Sequence, residues 1–315
     1  MFNKIFSIVL VILIVISLVL SCIVLINNNT KDKPSFVKIS LPKRTNLPGV
    51  SIIRIYGPID ISSSYSPFDP YGGTGSDAIL KRLDEIKNNK NIKAVILRIN
   101  SPGGTIGSVQ EICQKIQEMK SNGMIFVASL ADICASGGYY IASVANRIIA
   151  NPGTLTGSIG VIISDLEFSE LMKKFGIKEQ VIKSGKHKDL LSPFRSMTKE
   201  ERNLLQDVVD DSYEQFFKTV YMNRKIPIMQ LKKIADGRVF TGRQAKEYGL
   251  VDELGNFDTA IKIAGRLAGL GENPKIYEEN IVPLDYFTSV LSYFKVKQKY
   301  SIPVHFETFK EIIER

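Results

Sequence analysis

Histidine is almost missing from this chain: among 315 residues only His187 and His305 carry an imidazole. A serine activated in the usual Ser–His–Asp way has few bases to draw on, and His305 sits in the C-terminal tail region. Cysteine is as sparse. Cys22 falls in an apolar run, while Cys113 and Cys134 stand apart, so the chain has no zinc-ligand spacing, and no metal or other cofactor is expected. Nucleic-acid signatures are missing as well. The net charge of +9, from 41 Lys+Arg against 32 Asp+Glu, is spread along the chain without a basic helix or an aromatic RNA-binding motif, so no nucleic-acid partner is expected. Anionic lipid head groups or a plain solvated surface remain as readings of that charge.

Charge is absent altogether from residues 5–26, an apolar run broken only by serines and one cysteine. It is long enough to cross a bilayer as a helix of about 20 residues. A cleaved leader has a shorter apolar core, about 7–15 residues, followed by small residues at a cut site. Here the apolar run continues through Ile23 to Ile26, so an uncleaved single-pass anchor is expected, with residues 1–4 as a short flank. Val19-Leu20-Ser21-Cys22 faintly resembles a lipidation motif, but four apolar residues directly behind Cys22 argue against it. Lys4 precedes the run and Lys31, Lys33, Lys38 and Lys43 follow it, a count that favours a cytoplasmic domain. Long domains often translocate regardless of that count. Residues 27–48 are polar and proline-punctuated, as in a linker.

A folded domain is expected over 49–271. Val50–Tyr56 alternates like a strand, 57–75 is a Ser/Pro/Gly-rich loop, and 77–87 has apolar residues at helical spacing. Ala94–Ile99 is a buried-type strand, followed by a helix over 107–120 and a second strand at 125–130. A short helix near 138–145, a strand at 147–150, the loop 151–160 and the apolar Val161–Ile163 complete the alternation. Strand, crossover and strand in succession imply parallel pairing with right-handed connections, hence an α/β fold. Further on, Thr198 and Glu201 form a capping box, and Leu204, Leu205, Val208, Val209, Tyr213, Phe216, Phe217 and Val220 make an apolar stripe. The stripe is expected on the core or on a neighbouring subunit. Residues 272–315, rich in Tyr and Phe and bearing Lys, suit either an assembly tail or a membrane-surface contact.

Three stretches could carry chemistry. Cys-Ala-Ser-Gly-Gly-Tyr-Tyr at 134–140 places Ser136 after a strand, between a small residue and two glycines, either as a presented nucleophile or as an ordinary turn into a helix. Pro102-Gly103-Gly104, between a strand and a helix, is either a nest of backbone N–H groups for an oxyanion or a tight turn. Lys183-Ser-Gly-Lys186-His187-Lys188-Asp189 offers several bases. A lysine base must be enclosed, because its pKa has to fall from about 10.4 toward 7–8.

The chain resembles the signal peptide peptidase A family of membrane-anchored Ser–Lys proteases over about residues 50–270. The resemblance rests on Asn-Ser-Pro-Gly-Gly at 100–104, Ala-Ser-Gly-Gly-Tyr-Tyr at 135–140 and Gly-Thr-Leu-Thr-Gly-Ser-Ile-Gly-Val at 153–161. The lysine cluster at 183–189, Met-Thr-Lys-Glu-Glu-Arg at 197–202 and Ala-Asp-Gly-Arg-Val-Phe-Thr-Gly-Arg-Gln-Ala at 235–245 follow in the family's order. It implies Ser136 as nucleophile, Lys188 as general base, Ser158 as the serine that orients the lysine, and the Gly103 N–H as an oxyanion donor. The Gly137 N–H is expected as a second donor, because the amide after a nucleophile on such a turn usually faces the same oxygen. Also implied are a fold of stacked ββα units like the Clp-protease and crotonase (enoyl-CoA hydratase) group, and a ring-like homo-oligomer whose active sites are completed between neighbouring protomers. The implied substrates are apolar peptides such as cleaved signal peptides, met at the lipid bilayer with the catalytic domain outside the cytoplasm. Against this stand a Clp-like Ser–His–Asp site using His187, which lies between two lysines with no evident orienting carboxylate, an acyl-CoA enzyme on the same fold, and a catalytically silent membrane scaffold.

Overall fold

The structure is a computed structural model that describes residues 47–61 and 75–277. The apolar run 5–26, most of the linker and the extension after Tyr277 lie outside the described residues. Among the described residues no helix is long and apolar enough to cross a membrane.

The centre is three parallel strands, β1 (Gly49–Tyr56), β2 (Ile92–Ser101) and β3 (Ile125–Ala135), with β2 in the middle. Their sequences are nearly continuous apolar runs because both faces are covered. Ile53 and Ile55 of β1, Val95, Leu97 and Ile99 of β2, and Phe126, Ala128 and Leu130 of β3 pack on one face with helices α1 (Ser76–Lys87), α2 (Ile106–Ser121) and α3 (Gly137–Ser143). Val50 and Ile52, Ala94 and Ile96, and Val127 pack on the other against Ala260, Ile263 and Ala264 of α8 (Phe257–Leu267). The full order is β6-β5-β3-β2-β1-β8, where β5 is Leu155–Gly157, β6 is Val239–Thr241 and β8 is Lys275–Tyr277. Strand β4 (Arg147–Ala150) pairs with β3 and with β7 (Glu253–Leu254), and among the described residues only β5 with β6 is antiparallel. The expected α/β class, with a sheet that is mainly parallel, is what is found.

Two expectations fail locally. Strand β3 runs on past Leu130 to Ala135, because β4 pairs with its first part and β5 with Ile133–Ala135. The Ile133 N–H donates to Asn100 Oδ1, which ties this continuation to the end of β2. Conversely, Val161–Ile163 is not a strand: the strand lies earlier, at Leu155–Gly157, fixed by the Thr154 and Thr156 hydroxyls donating to the carbonyls of Ala131 and Cys134. The remaining helices are α4 (Ser169–Lys174), α5 (Lys199–Asn223), α6 (Ile228–Ile234) and α7 (Gly242–Glu247). Helix α5 begins with the capping box read from Thr198 and Glu201. Its apolar stripe divides: Phe216 and Val220 are buried, Phe216 stacking on Tyr140 with ring centroids 4.4 Å apart, whereas Leu204 and Val208 are exposed.

Candidate active site

Ser136 stands between the end of β3 and the first turn of α3, at φ 52° and ψ −123°. A non-glycine residue in this region stores about 1–3 kcal/mol of strain and persists only where its surroundings over-determine it. They do so here. Its N–H donates to the Gly157 carbonyl at 2.9 Å, and its own carbonyl accepts from the Tyr140 N–H at 2.8 Å. Opposite lies the Pro102-Gly103-Gly104 turn at the end of β2, where Gly103 has φ 116°. A Cβ at Gly103 would lie 2.9 Å from both the Gly137 nitrogen and Ser136 Cβ, so the two turns touch backbone to backbone and only glycine fits. The Gly103 N–H donates to Oγ of the fully buried Ser101 at 3.1 Å, while the Gly103 carbonyl accepts from the Ile59 N–H at 2.9 Å.

Ser158 reaches the same place through sheet register. Ala135 is paired with Gly157, so Ser136 and Ser158 are the next residues on two neighbouring strands. Ser158 has φ 51°, and these two serines are the non-glycine residues with positive φ among those described. Its N–H donates to the Arg238 carbonyl at 2.8 Å, and the Gly237 N–H to the Ile159 carbonyl at 3.0 Å, so the Asp236–Arg238 turn braces the Ser158 loop from behind.

Lys188 is different. Residues 160–198 are almost wholly exposed, and Lys188 within them is exposed, with no hydrogen bond or ion pair on its ammonium among the described residues. Ser136, Ser158, Gly103 and Gly137 are therefore brought together, and Lys188 is not joined to them. Its loop is nonetheless tightly held. Lys188 N–H donates to the Gly185 carbonyl at 3.2 Å, and Asp189 is gripped by Lys183 and by Arg195, whose other side grips Glu201. No orienting carboxylate for His187 is evident in its sequence neighbours; the fold supplies one, with Glu200 Oε1 3.4 Å from His187 Nε2, while His187 Nδ1 is enclosed without a partner. Arg195 carries no signal in the sequence, because ion pairing between a loop and a helix start follows no sequence period. Among the described residues no cluster of His, Cys, Asp and Glu is placed to hold a metal.

The Arg195 guanidinium, and after it the Lys183 ammonium, hold the Asp189 carboxyl well below the usual carboxylate range. Arg195 and the Thr198 N–H bring Glu201 down to about 2. Both acids have lower pKa values folded than unfolded, so their contribution is complete above the unfolded values, about 4. It declines as pH falls below those values, the Glu201 part being lost through about 2 and the Asp189 part lower still. Hydrogen exchange of 183–196, corrected for intrinsic rate, should stay constant from pH 7 to about 4.5 and lose protection below that. Protection unchanged between about pH 4.5 and about pH 2 would mean the ion pairs do not hold this loop.

A parallel α/β sheet that presents a strained serine at the tip of a central strand, against a glycine turn, is the architecture of an α/β peptidase. Residues 118–271 match peptidase family S49. A provisionally named protease of Synechocystis sp. is 47% identical over 61% of this chain and 69% of its own length. Another of Methanocaldococcus jannaschii is 36% identical over 73% of this chain and 74% of its own. Protease 4 of Salmonella typhi is 35% identical over 63% of this chain and 32% of its own. The chain belongs to peptidase family S49, the signal peptide peptidase A family, and is a peptidase.

Proposed function

We propose that this is a membrane-anchored serine endopeptidase in which Ser136 is the nucleophile and Lys188 the general base, acting on apolar peptides such as cleaved signal peptides. The observation that carries the reading is the pairing of Ser136 and Ser158 at positive φ beside the Gly103 turn. Strain held by surrounding hydrogen bonds at two serines of one corner points to function, since a plain turn gains nothing from it. In the proposed cycle Lys188 Nζ takes the Ser136 hydroxyl proton as Oγ attacks the scissile carbonyl, then gives it to the leaving amine; water releases the acyl group with the same base. The oxyanion accepts from the N–H groups of Gly137 and Gly103, the latter exchanging Ser101 Oγ for the substrate oxygen.

A neutral lysine needs enclosure, and one protomer leaves Lys188 exposed. The same segment exposes Ile162 by 85%, Phe175 by 73% and Ile182 by 102%. Burying each such side chain contributes roughly 1.5–3 kcal/mol, which supports a ring-like homo-oligomer in which a second copy closes over the lysine. In this reading the domain has the stacked ββα relation to the Clp-protease and crotonase group, residues 5–26 anchor it, and it works at the lipid bilayer outside the cytoplasm.

The test is labelling of the full chain in detergent by a fluorophosphonate. The wild-type chain should label at Ser136. Ser158→Ala should label on the order of 10-fold more slowly, because the amine loses the hydroxyl that holds it toward Ser136. An unchanged rate would remove Ser158 from the site, and no labelling of Ser136 would remove the nucleophile.

A further inference from the structure

We propose that Arg195 is the positioning residue for the Lys188 loop, fastening the backbone beside the lysine to the first turn of helix α5. The inference rests on Lys188 being the general base.

Arg195 makes contacts in two directions. Toward the loop, Nε donates to Asp189 Oδ2 at 3.0 Å, and Nη2 to Asp189 Oδ1 at 2.9 Å and to the Asp189 carbonyl at 3.0 Å. Toward the helix, Nη1 donates to Glu201 Oε2 at 2.9 Å and Nη2 to Glu201 Oε1 at 2.6 Å. Asp189 directly follows Lys188, so a clamp on both its carboxylate and its carbonyl fixes the peptide from which the lysine side chain departs. Glu201 is a rigid anchor. It is nearly fully buried, and as the third residue of the helix it also accepts from the Thr198 N–H at 2.9 Å and the Thr198 hydroxyl at 3.0 Å.

The lysine cluster at 183–189 and the Met-Thr-Lys-Glu-Glu-Arg stretch at 197–202 are thereby one device, with Arg195 as the bidentate link between them beside the Lys186 and His187 contacts to Glu200. The other contacts from residues 183–189 to this helix, Lys186 and His187 with Glu200, end on a single exposed carboxylate, so the bidentate Arg195 bridge to buried Glu201 is the firm attachment beside the base. Only a guanidinium can do this: its planar fork meets two carboxylates bidentately at once, whereas an ammonium is a single point charge. A base displaced by about 1 Å can lose around 100-fold in rate.

The experiment uses the full chain in detergent, a quenched-fluorescence peptide of apolar sequence, and the variants Arg195→Ala, Arg195→Lys and Lys188→Ala. Arg195→Ala and Arg195→Lys are expected to lower kcat by about 100-fold with KM changed little, since substrate still binds but the base is misplaced. Ethylguanidinium, filling the space between Asp189 and Glu201, should restore much of the Arg195→Ala activity; ethylammonium should not. Full kcat in both Arg195 variants, with Lys188→Ala inactive, would overturn this inference and leave the Ser–Lys reading standing. A loss that ethylguanidinium does not rescue, accompanied by a changed assembly size, would reduce Arg195 to a structural role and overturn it too. An active Lys188→Ala would overturn the Ser–Lys reading and the inference with it.

Discussion

Ser136→Ala and Lys188→Ala are each expected to abolish measurable cleavage of an apolar peptide, while His187→Ala keeps most of it. Without Ser136 Oγ no acyl-enzyme forms. Without Lys188 the hydroxyl keeps its proton, and general-base help contributes about 10²–10⁴-fold. His187 is the rival base, and its surroundings argue against it. Its Nε2 faces Glu200, which Lys186 also engages, and its Nδ1 is enclosed without a partner, so neither nitrogen is shown turned toward a serine. Measured on purified full-length variants that retain the wild-type assembly size, a dead His187→Ala beside an active Lys188→Ala would replace the Ser–Lys mechanism by a histidine one.

The central strands were legible because a parallel sheet buried on both faces writes itself as unbroken apolar runs, as in Ala94–Ile99. The capping box at Thr198 was legible for the same kind of reason: its two hydrogen bonds are local, three residues apart. What escaped was set by distant partners. Ala131–Ala135 contains a charge and small residues, and it becomes strand only because β5 and Asn100 come to it. Val161–Ile163 has a strand's composition but no strand beside it within the described chain. The division of the α5 stripe follows the same rule. Period shows that one face is apolar, but not where along the helix the core ends, and the core ends short of Val208. At the site, motif resemblance pointed to Ser136 and Ser158, but their adjacency is a matter of register, Ala135 against Gly157, which no single-sequence pattern encodes. Arg195 was invisible because a bidentate bridge needs coordinates, not spacing.

Mixed assemblies of Ser136→Ala and Lys188→Ala chains should recover activity that neither has alone. Ser158, Gly103 and Gly137 stand around Ser136 within one chain, yet Lys188 sits on an exposed segment together with bare apolar side chains such as Ile162 and Ile182. If a neighbouring protomer supplies the lysine, each site draws its serine from one chain and its base from the next. Random mixing in equal amounts then gives an intact serine facing an intact lysine at about one junction in four, so roughly a quarter of wild-type turnover should return in a closed ring of repeated interfaces. The two variants would be co-expressed with different tags, purified by both in sequence, and assayed against separately purified single variants mixed after assembly, which should remain inactive. A co-assembled species of normal size that stays dead would place serine and lysine in the same chain and require segment 160–198 to fold back over its own sheet.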